Sequence, residues 1–146
     1  MKSVVKLTIN VPQARLAELF ANPAYSPQWM DDLARYEPIS GQPGTPGSQY
    51  RLVPKKGSLI FVATVLARDP PVQSRVRLEA PTVAVAVTGT FEALSRDKTR
   101  MVSEEVFKFK GAASKVLGFV ARRSIRAAHR RHMEAFKRFA EGREDG

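Results

Sequence analysis

The stretch Ala112 to Glu141, AASKVLGFVARRSIRAAHRRHMEAFKRFAE, contains no proline and one glycine, Gly118. Read as one helix of roughly thirty residues, it spans about 45 Å. On a helical wheel Leu117, Ala121, Ser124, Ala128, Ala135 and Phe139 fall together, and Arg122, Arg126, Arg130 and Lys137 fall opposite. An amphipathic helix of this kind buries its apolar stripe against other structure. The stripe is rich in small residues, which let another surface come close or leave space beside the helix. The rest of the chain must supply that surface.

Upstream, the pattern changes to period two. Val5, Leu7, Ile9 and Val11 alternate with Lys6, Thr8 and Asn10 over residues 3–11, a half-buried strand. Pro12 opens an amphipathic helix carrying Leu16, Leu19 and Phe20, which Asn22-Pro23 stops. A second short helix follows over 24–31, with Tyr25, Trp29 and Met30. Six strands are then expected at 33–39, 48–53, 58–67, 73–79, 82–94 and 99–110. Their turns are Ser40 to Gly47, Pro54 to Gly57, Asp69-Pro70-Pro71, Ala80-Pro81 and Ser95 to Lys98. Consecutive hairpins make an antiparallel sheet, and helices gathered on one face of it define an α+β domain. With no repeat or linker, residues 1–146 read as one domain.

Composition narrows the function classes. The 146 residues include no cysteine, which excludes a disulfide framework, thiolate metal sites and a cysteine nucleophile. Lys2 and Lys6 interrupt any signal-peptide core, and no run of about 18 apolar residues occurs. A cytoplasmic location is the expectation. The formal charge is +10, divided unevenly: residues 1–109 hold 14 basic and 10 acidic side chains, and residues 110–146 hold 10 and 4. The excess therefore concentrates on the last helix.

Three local motifs, in order, carry a resemblance. They are Ile9-Asn10-Val11-Pro12 leading into Leu16-Ala17-Glu18-Leu19-Phe20-Ala21-Asn22-Pro23, then Tyr25-Ser26-Pro27-Gln28-Trp29-Met30, then Gly44-Thr45-Pro46-Gly47-Ser48-Gln49-Tyr50-Arg51-Leu52. With the element order, they make nearly the whole chain resemble the START/Bet v 1-like superfamily, also called SRPBCC or the polyketide cyclase/dehydrase-like group. The resemblance implies a helix-grip fold. In it, a curved seven-stranded antiparallel sheet wraps a long C-terminal helix, with two short helices after strand 1. It also implies a cavity for a hydrophobic or amphipathic small molecule, lipid-, quinone- or polyketide-like. It implies no universal catalytic residue, so it gives a ligand class and no reaction.

Within that frame the expected cavity lining is Trp29, Tyr50, Phe61, Val76, Leu78, Val85, Val87, Glu105, Phe107, Leu117, Ala121 and Ala128. Trp29 is the only tryptophan and reads either as helix-to-sheet packing or as a wall of the cavity mouth. Glu105 is the candidate acid or base. It shares a strand face with Met101, Ser103, Phe107 and Phe109, whereas Glu104 faces the other way. A strand slip would exchange the two glutamates. On a concave face, desolvation would raise the Glu105 pKa and suit it to proton transfer. The alternative is a solvent-facing or ion-paired glutamate.

The only histidines, His129 and His132, stand i, i+3. No third ligand lies near them in sequence, so no metal is expected. The wheel turns His132 towards the apolar edge, as a polar group at one end of the cavity or a surface or interface residue, and His129 towards the basic face. Arg131 reads as a surface side chain or as a fork for a ligand carboxylate, and Arg75 and Arg77 as residues of the convex, wet face. Gly41, Gly44 and Gly47 read as a loop bordering the cavity entrance, because the phosphate-cradle pattern is absent. No cofactor motif is present.

Three function classes follow. A carrier or ligand-binding protein is preferred. A metal-free cyclase or dehydratase using Glu105 is the alternative, and a carboxyl buried beside Tyr50 or His132 would favour it. The third is binding of an anionic membrane surface through the basic helix; nucleic acid is disfavoured, since no DNA-reading module or stacking platform is seen. Monomer and homodimer are both compatible with the sequence.

Overall fold

The computed structural model describes residues 1–144. Seven strands, β1 (Lys2–Ile9), β2 (Leu33–Ser40), β3 (Gln49–Pro54), β4 (Phe61–Asp69), β5 (Gln73–Glu79), β6 (Val83–Ser95) and β7 (Lys98–Phe109), form one sheet. Its order is β1-β7-β6-β5-β4-β3-β2, and every neighbouring pair is antiparallel. The chain therefore meanders from β2 to β7 by hairpins and returns β1 beside β7. The curved sheet and long C-terminal helix are the helix-grip arrangement.

Helix α1 (Gln13–Ala21), a 3-10 turn (Pro23–Tyr25) and helix α2 (Ser26–Trp29) bridge the two edge strands β1 and β2. Asn22 ends one element and starts the next: its Oδ1 accepts from the Ala24 amide at 3.0 Å. The loop 41–48 turns sharply at Gly41, whose φ is +75° and where a Cβ would lie 2.9 Å from Ser48 Cα. Only glycine takes that conformation without strain.

The expected single C-terminal helix is two. Helix α3 (Ala112–Val120) and helix α4 (Arg122–Glu144) are separated at Ala121. Gly118 sits on the Phe109 ring, which holds α3 against the end of β7. The buried face of α4 is also rotated from the wheel's stripe. His129, Met133, Phe136 and Ala140 are buried while Ser124 is exposed. The wheel counted His129 as polar, but its burial is compensated by two hydrogen bonds, described below.

Strand β4 starts at Phe61 and not at Ser58, because its pairing with β3 ends at Leu52↔Phe61. Leu59 and Ile60 are consequently exposed in a longer β3–β4 loop.

Two apolar clusters flank the space under α4. Val5, Ile9, Leu16, Leu19, Trp29, Phe91, Met101, Met133 and Phe136 form the larger. Ala80, Val83 and Val85, with Phe61, Leu78, Phe107 and Phe109 against them, form the smaller. Among the described residues no helix is long and apolar enough to cross a membrane.

Candidate functional site

The space between sheet and α4 is a cavity with two chambers. The larger, about 640 Å³, lies between the β3–β4 loop and the first turns of α4. The smaller, about 90 Å³, reaches towards α1 and α2. Met30, Leu52, Leu78, Glu105 and His132 line both, so these five form the waist where the chambers meet.

Strand register places the polar groups of this waist. Ser3 on β1 stands opposite Glu105 on β7, and Val5 opposite Ser103. Side chains alternate along a strand, so Ser3, Ser103 and Glu105 share the face that meets α4. There His129 closes the gap: its Nδ1 lies 2.7 Å from Ser3 Oγ and its Nε2 lies 2.9 Å from Ser103 Oγ. All three residues are buried. A neutral imidazole donates from one nitrogen and accepts at the other, which matches two hydroxyl partners. Burial, reinforced by the charges of His132 and Arg130, pushes the His129 pKa down to about 4. The ring is therefore neutral at physiological pH.

Glu105 makes no hydrogen bond with this clasp; its Oε1 lies 3.8 Å from His129 Nδ1. Desolvation pushes its pKa up to about 7. The carboxyl group is thus divided between both protonation states near neutrality, at the point where the chambers meet. Glu104 faces outward and pairs with Lys2 at 3.3 Å, so the register assigns the inward position to Glu105. Tyr50 lines the smaller chamber together with Glu105 and His132. Burial pushes its phenol up to about 12, which keeps it a neutral hydrogen-bonding group.

Of the residues expected along the cavity, Phe61, Val85, Phe107 and Ala128 line the larger chamber. Trp29, Tyr50, Val76 and Val87 line the smaller, and Leu78 and Glu105 line both. Leu117 and Ala121 line neither. Leu117 belongs to α3 and is exposed, because the break at Ala121 turns α3 away from the cavity. Trp29 stands in the smaller chamber and not at the mouth of the larger, stacked on Phe20 at 5.9 Å and edge-on to Phe136 at 5.1 Å. Both readings of its role hold in part, since it packs and lines at once. The glycine loop borders neither chamber: Gly44 lies over a separate polar hollow, with Arg68 Nη1 donating to its carbonyl at 3.3 Å.

The mouth of the larger chamber carries an ion-pair cluster. Arg131 Nε donates to Asp31 Oδ2 at 3.1 Å, and this contact holds the Asp31 pKa below its ordinary value. His132 Nε2 lies 3.1 Å from Asp32 Oδ1 without the alignment of a hydrogen bond. Among the described residues, Asp31, Asp32 and His132 are the group whose donor atoms stand close enough to share a metal, within 4.8 Å of one another. The Arg131 guanidinium already supplies a positive charge to Asp31. Arg75 and Arg77 point from the outer face, and Arg77 pairs with Glu79 at 2.7 Å.

Residues 1–141 match the family model described as polyketide cyclase/dehydrase and lipid transport. Solved structures with the same fold include the Zhui aromatase/cyclase from Streptomyces sp. R1128. It is 18% identical with a TM-score of 0.70, and 95% of each chain is covered. A START superfamily protein from Mycobacterium smegmatis is 14% identical with a TM-score of 0.71, over 97% of this chain and 95% of that one. A Thermus thermophilus protein is 14% identical with a TM-score of 0.74, over 98% of this chain and 96% of that one. No curated protein matches the sequence significantly.

Proposed function

Because the chain belongs to the polyketide cyclase/dehydrase and lipid transport family, we propose that it binds a largely apolar, amphipathic small molecule across the two chambers, as a carrier or ligand-binding protein. The observation that carries this is the cavity itself. Its volume falls inside the range of about 300–1,000 Å³ typical of small-molecule sites, and its walls are mostly apolar side chains. Apolar burial at about 25 cal/mol per Å² supplies the affinity. A few polar groups supply orientation. Trp29 Nε1 is buried without a hydrogen-bond partner in the protein, and Trp29 lines the smaller chamber with Tyr50 and Glu105.

The test is binding of anilinonaphthalene sulfonate, read by its fluorescence, with native mass spectrometry of the purified protein. Ala128→Phe fills part of the larger chamber from α4 and should weaken probe binding about tenfold or more. If the probe fails to bind, or binds the variant equally well, the cavity is not the ligand site.

A second reading, catalysis, is favoured by one arrangement: Glu105, Tyr50 and His132 line the same small chamber. A carboxyl with a pKa near the working pH is suited to general acid–base chemistry. In a dehydration, protonated Glu105 would give its proton to a departing hydroxyl, which leaves as water. The carboxylate so formed would take a proton from the adjacent carbon, leaving a carbon–carbon double bond and Glu105 protonated again. Glu105→Gln should then bind β-hydroxyketone test compounds with unchanged affinity but lose their turnover. Undiminished turnover by that variant would exclude Glu105 as the acid or base.

A further inference from the structure

We propose that the end of the molecule carrying α3 docks on an anionic lipid bilayer. The antiparallel order puts the β3–β4 loop, the β5–β6 turn and the β7–α3 junction at the same end of the sheet. Two of these elements expose apolar side chains in quantity. On α3, Val116, Leu117, Phe119 and Val120 are each at least 62% exposed, while Gly118 makes the contact with the body at Phe109. Across the mouth of the larger chamber, Leu59 and Ile60 are exposed in the β3–β4 loop. Exposed apolar clusters of this kind mark interaction sites.

Basic residues dominate the charge around them. Residues 106–133 contain eight basic side chains and no acidic one. Lys115, Arg122, Arg123 and Arg126 flank the α3 cluster in sequence, and Lys55 and Lys56 precede Leu59. Arg122 lies 4.1 Å over the Phe119 ring, so a positive charge sits directly on the apolar surface. Three acidic residues at this end are ion-paired with arginine or lysine. Asp31 pairs with Arg131, Asp32 lies against His132, Glu79 pairs with Arg77 and Glu104 with Lys2.

Apolar side chains ringed by Lys and Arg fit an anionic bilayer, which takes the first into its acyl boundary and the second among its headgroups. A second copy fits less well: a symmetric contact would set these basic residues against their own equivalents. The proposed surface keeps Arg122, Arg123 and Arg126 of the basic helix face expected from sequence and adds the exposed apolar residues of α3. Docking here would bring the mouth of the larger chamber, bordered by Lys55, Lys56 and Leu59 on one side and Ile125 and Ala128 on the other, against the lipid. The docking stands independently of the cavity reading, to which it adds a route of ligand entry.

The experiment is flotation of the protein with vesicles of phosphatidylcholine alone and of phosphatidylcholine mixed with phosphatidylglycerol. Light scattering in parallel gives the oligomeric state. The protein should float with the anionic vesicles only and be released by high salt. Each arginine near an anionic surface contributes about fivefold, so Arg122→Gln with Arg123→Gln should weaken binding about 25-fold. Phe119→Ser with Val120→Ser should abolish flotation while leaving intact the part of anilinonaphthalene sulfonate binding that Ala128→Phe removes, which separates failure of docking from failure of the cavity reading. Absence of flotation by the native protein, flotation of the serine variant to the same extent, a dimer that these substitutions dissociate, or binding of duplex DNA in place of vesicles would each overturn the proposal.

Discussion

Glu105→Gln should stabilise the protein in alkaline solution and leave it unchanged in acid. The native carboxyl is held protonated up to about pH 7, against an ordinary value of 4.5. Between those values the folded protein keeps a proton that the unfolded chain has released, so stability falls as pH rises through the window. A shift of this size is worth about 3 kcal/mol at about 1.4 kcal/mol per unit. With its side chain 22% exposed, Glu105 is dry enough to retain most of that figure. Glutamine has no proton to lose. At about pH 8 the variant should therefore be more stable by up to about 3 kcal/mol, or roughly 6–12 °C in Tm for a domain of this size. At about pH 4 the two proteins should coincide.

His129 sets up an opposing slope that makes the experiment more informative. Its pKa falls from 6.5 to about 4 on folding, so its contribution is present above pH 6.5 and is lost as pH falls towards 4. In the overlap, unfolding takes up a proton at His129 and releases one at Glu105, and the two effects nearly cancel. Removing Glu105 should expose the His129 slope as a steady gain in stability with rising pH. Urea unfolding followed by the fluorescence of Trp29, the single tryptophan, measures all of this. A stability difference between variant and native protein that is the same at both ends of the pH range would refute the desolvation argument.

Ser103→Ala leaves His129 Nε2 buried without its partner at 2.9 Å and should cost about 1–3 kcal/mol in urea unfolding. Phe136→Ala removes a fully buried ring that packs on Phe20 at 5.3 Å and Trp29 at 5.1 Å; a loss of about 3–5 kcal/mol is expected from calorimetry. Gly118→Ala would set a Cβ 2.5 Å from the Phe109 ring. Amide hydrogen exchange should then show α3 losing protection while the sheet keeps its own.

The sheet was legible because its signal is local. Alternation in β1 and β5, and the Gly/Pro turns between strands, are written within a few residues. The inward position of Glu105 was legible for the same reason, since parity along β7 is counted from Met101. The orientation of α4 was not. His129 is buried because Ser3 and Ser103 lie far away in sequence, 126 and 26 residues off, and a wheel drawn on one helix contains neither. A trace of them exists: Ser3 and Ser103 are polar residues at the same inward parity as Val5, Ile9 and Met101, which signals a polar group opposite. The waist residues Met30 and Leu52 carry no sequence signal for the cavity because they come from different elements that only the fold brings together. Leu117 and Ala121 were misplaced by reading through the break between α3 and α4.

The Ser3–His129–Ser103 clasp also has a mechanical meaning. It rivets α4 to β1 and β7 at one point, and beyond that point the helix is fixed by the packing of Met133, Phe136 and Ala140. On the other side lie Ile125 and Ala128, which roof the larger chamber, and then the break at Ala121. Among the described residues this short arm, between the rivet and the break, makes one hydrogen bond to the sheet, from Arg126 Nη2 to the Lys2 carbonyl at 3.4 Å, and that bond is exposed. A ligand too large for the resting cavity would have to bow that arm between two fixed ends, the His129 clasp and the contact of Gly118 with Phe109.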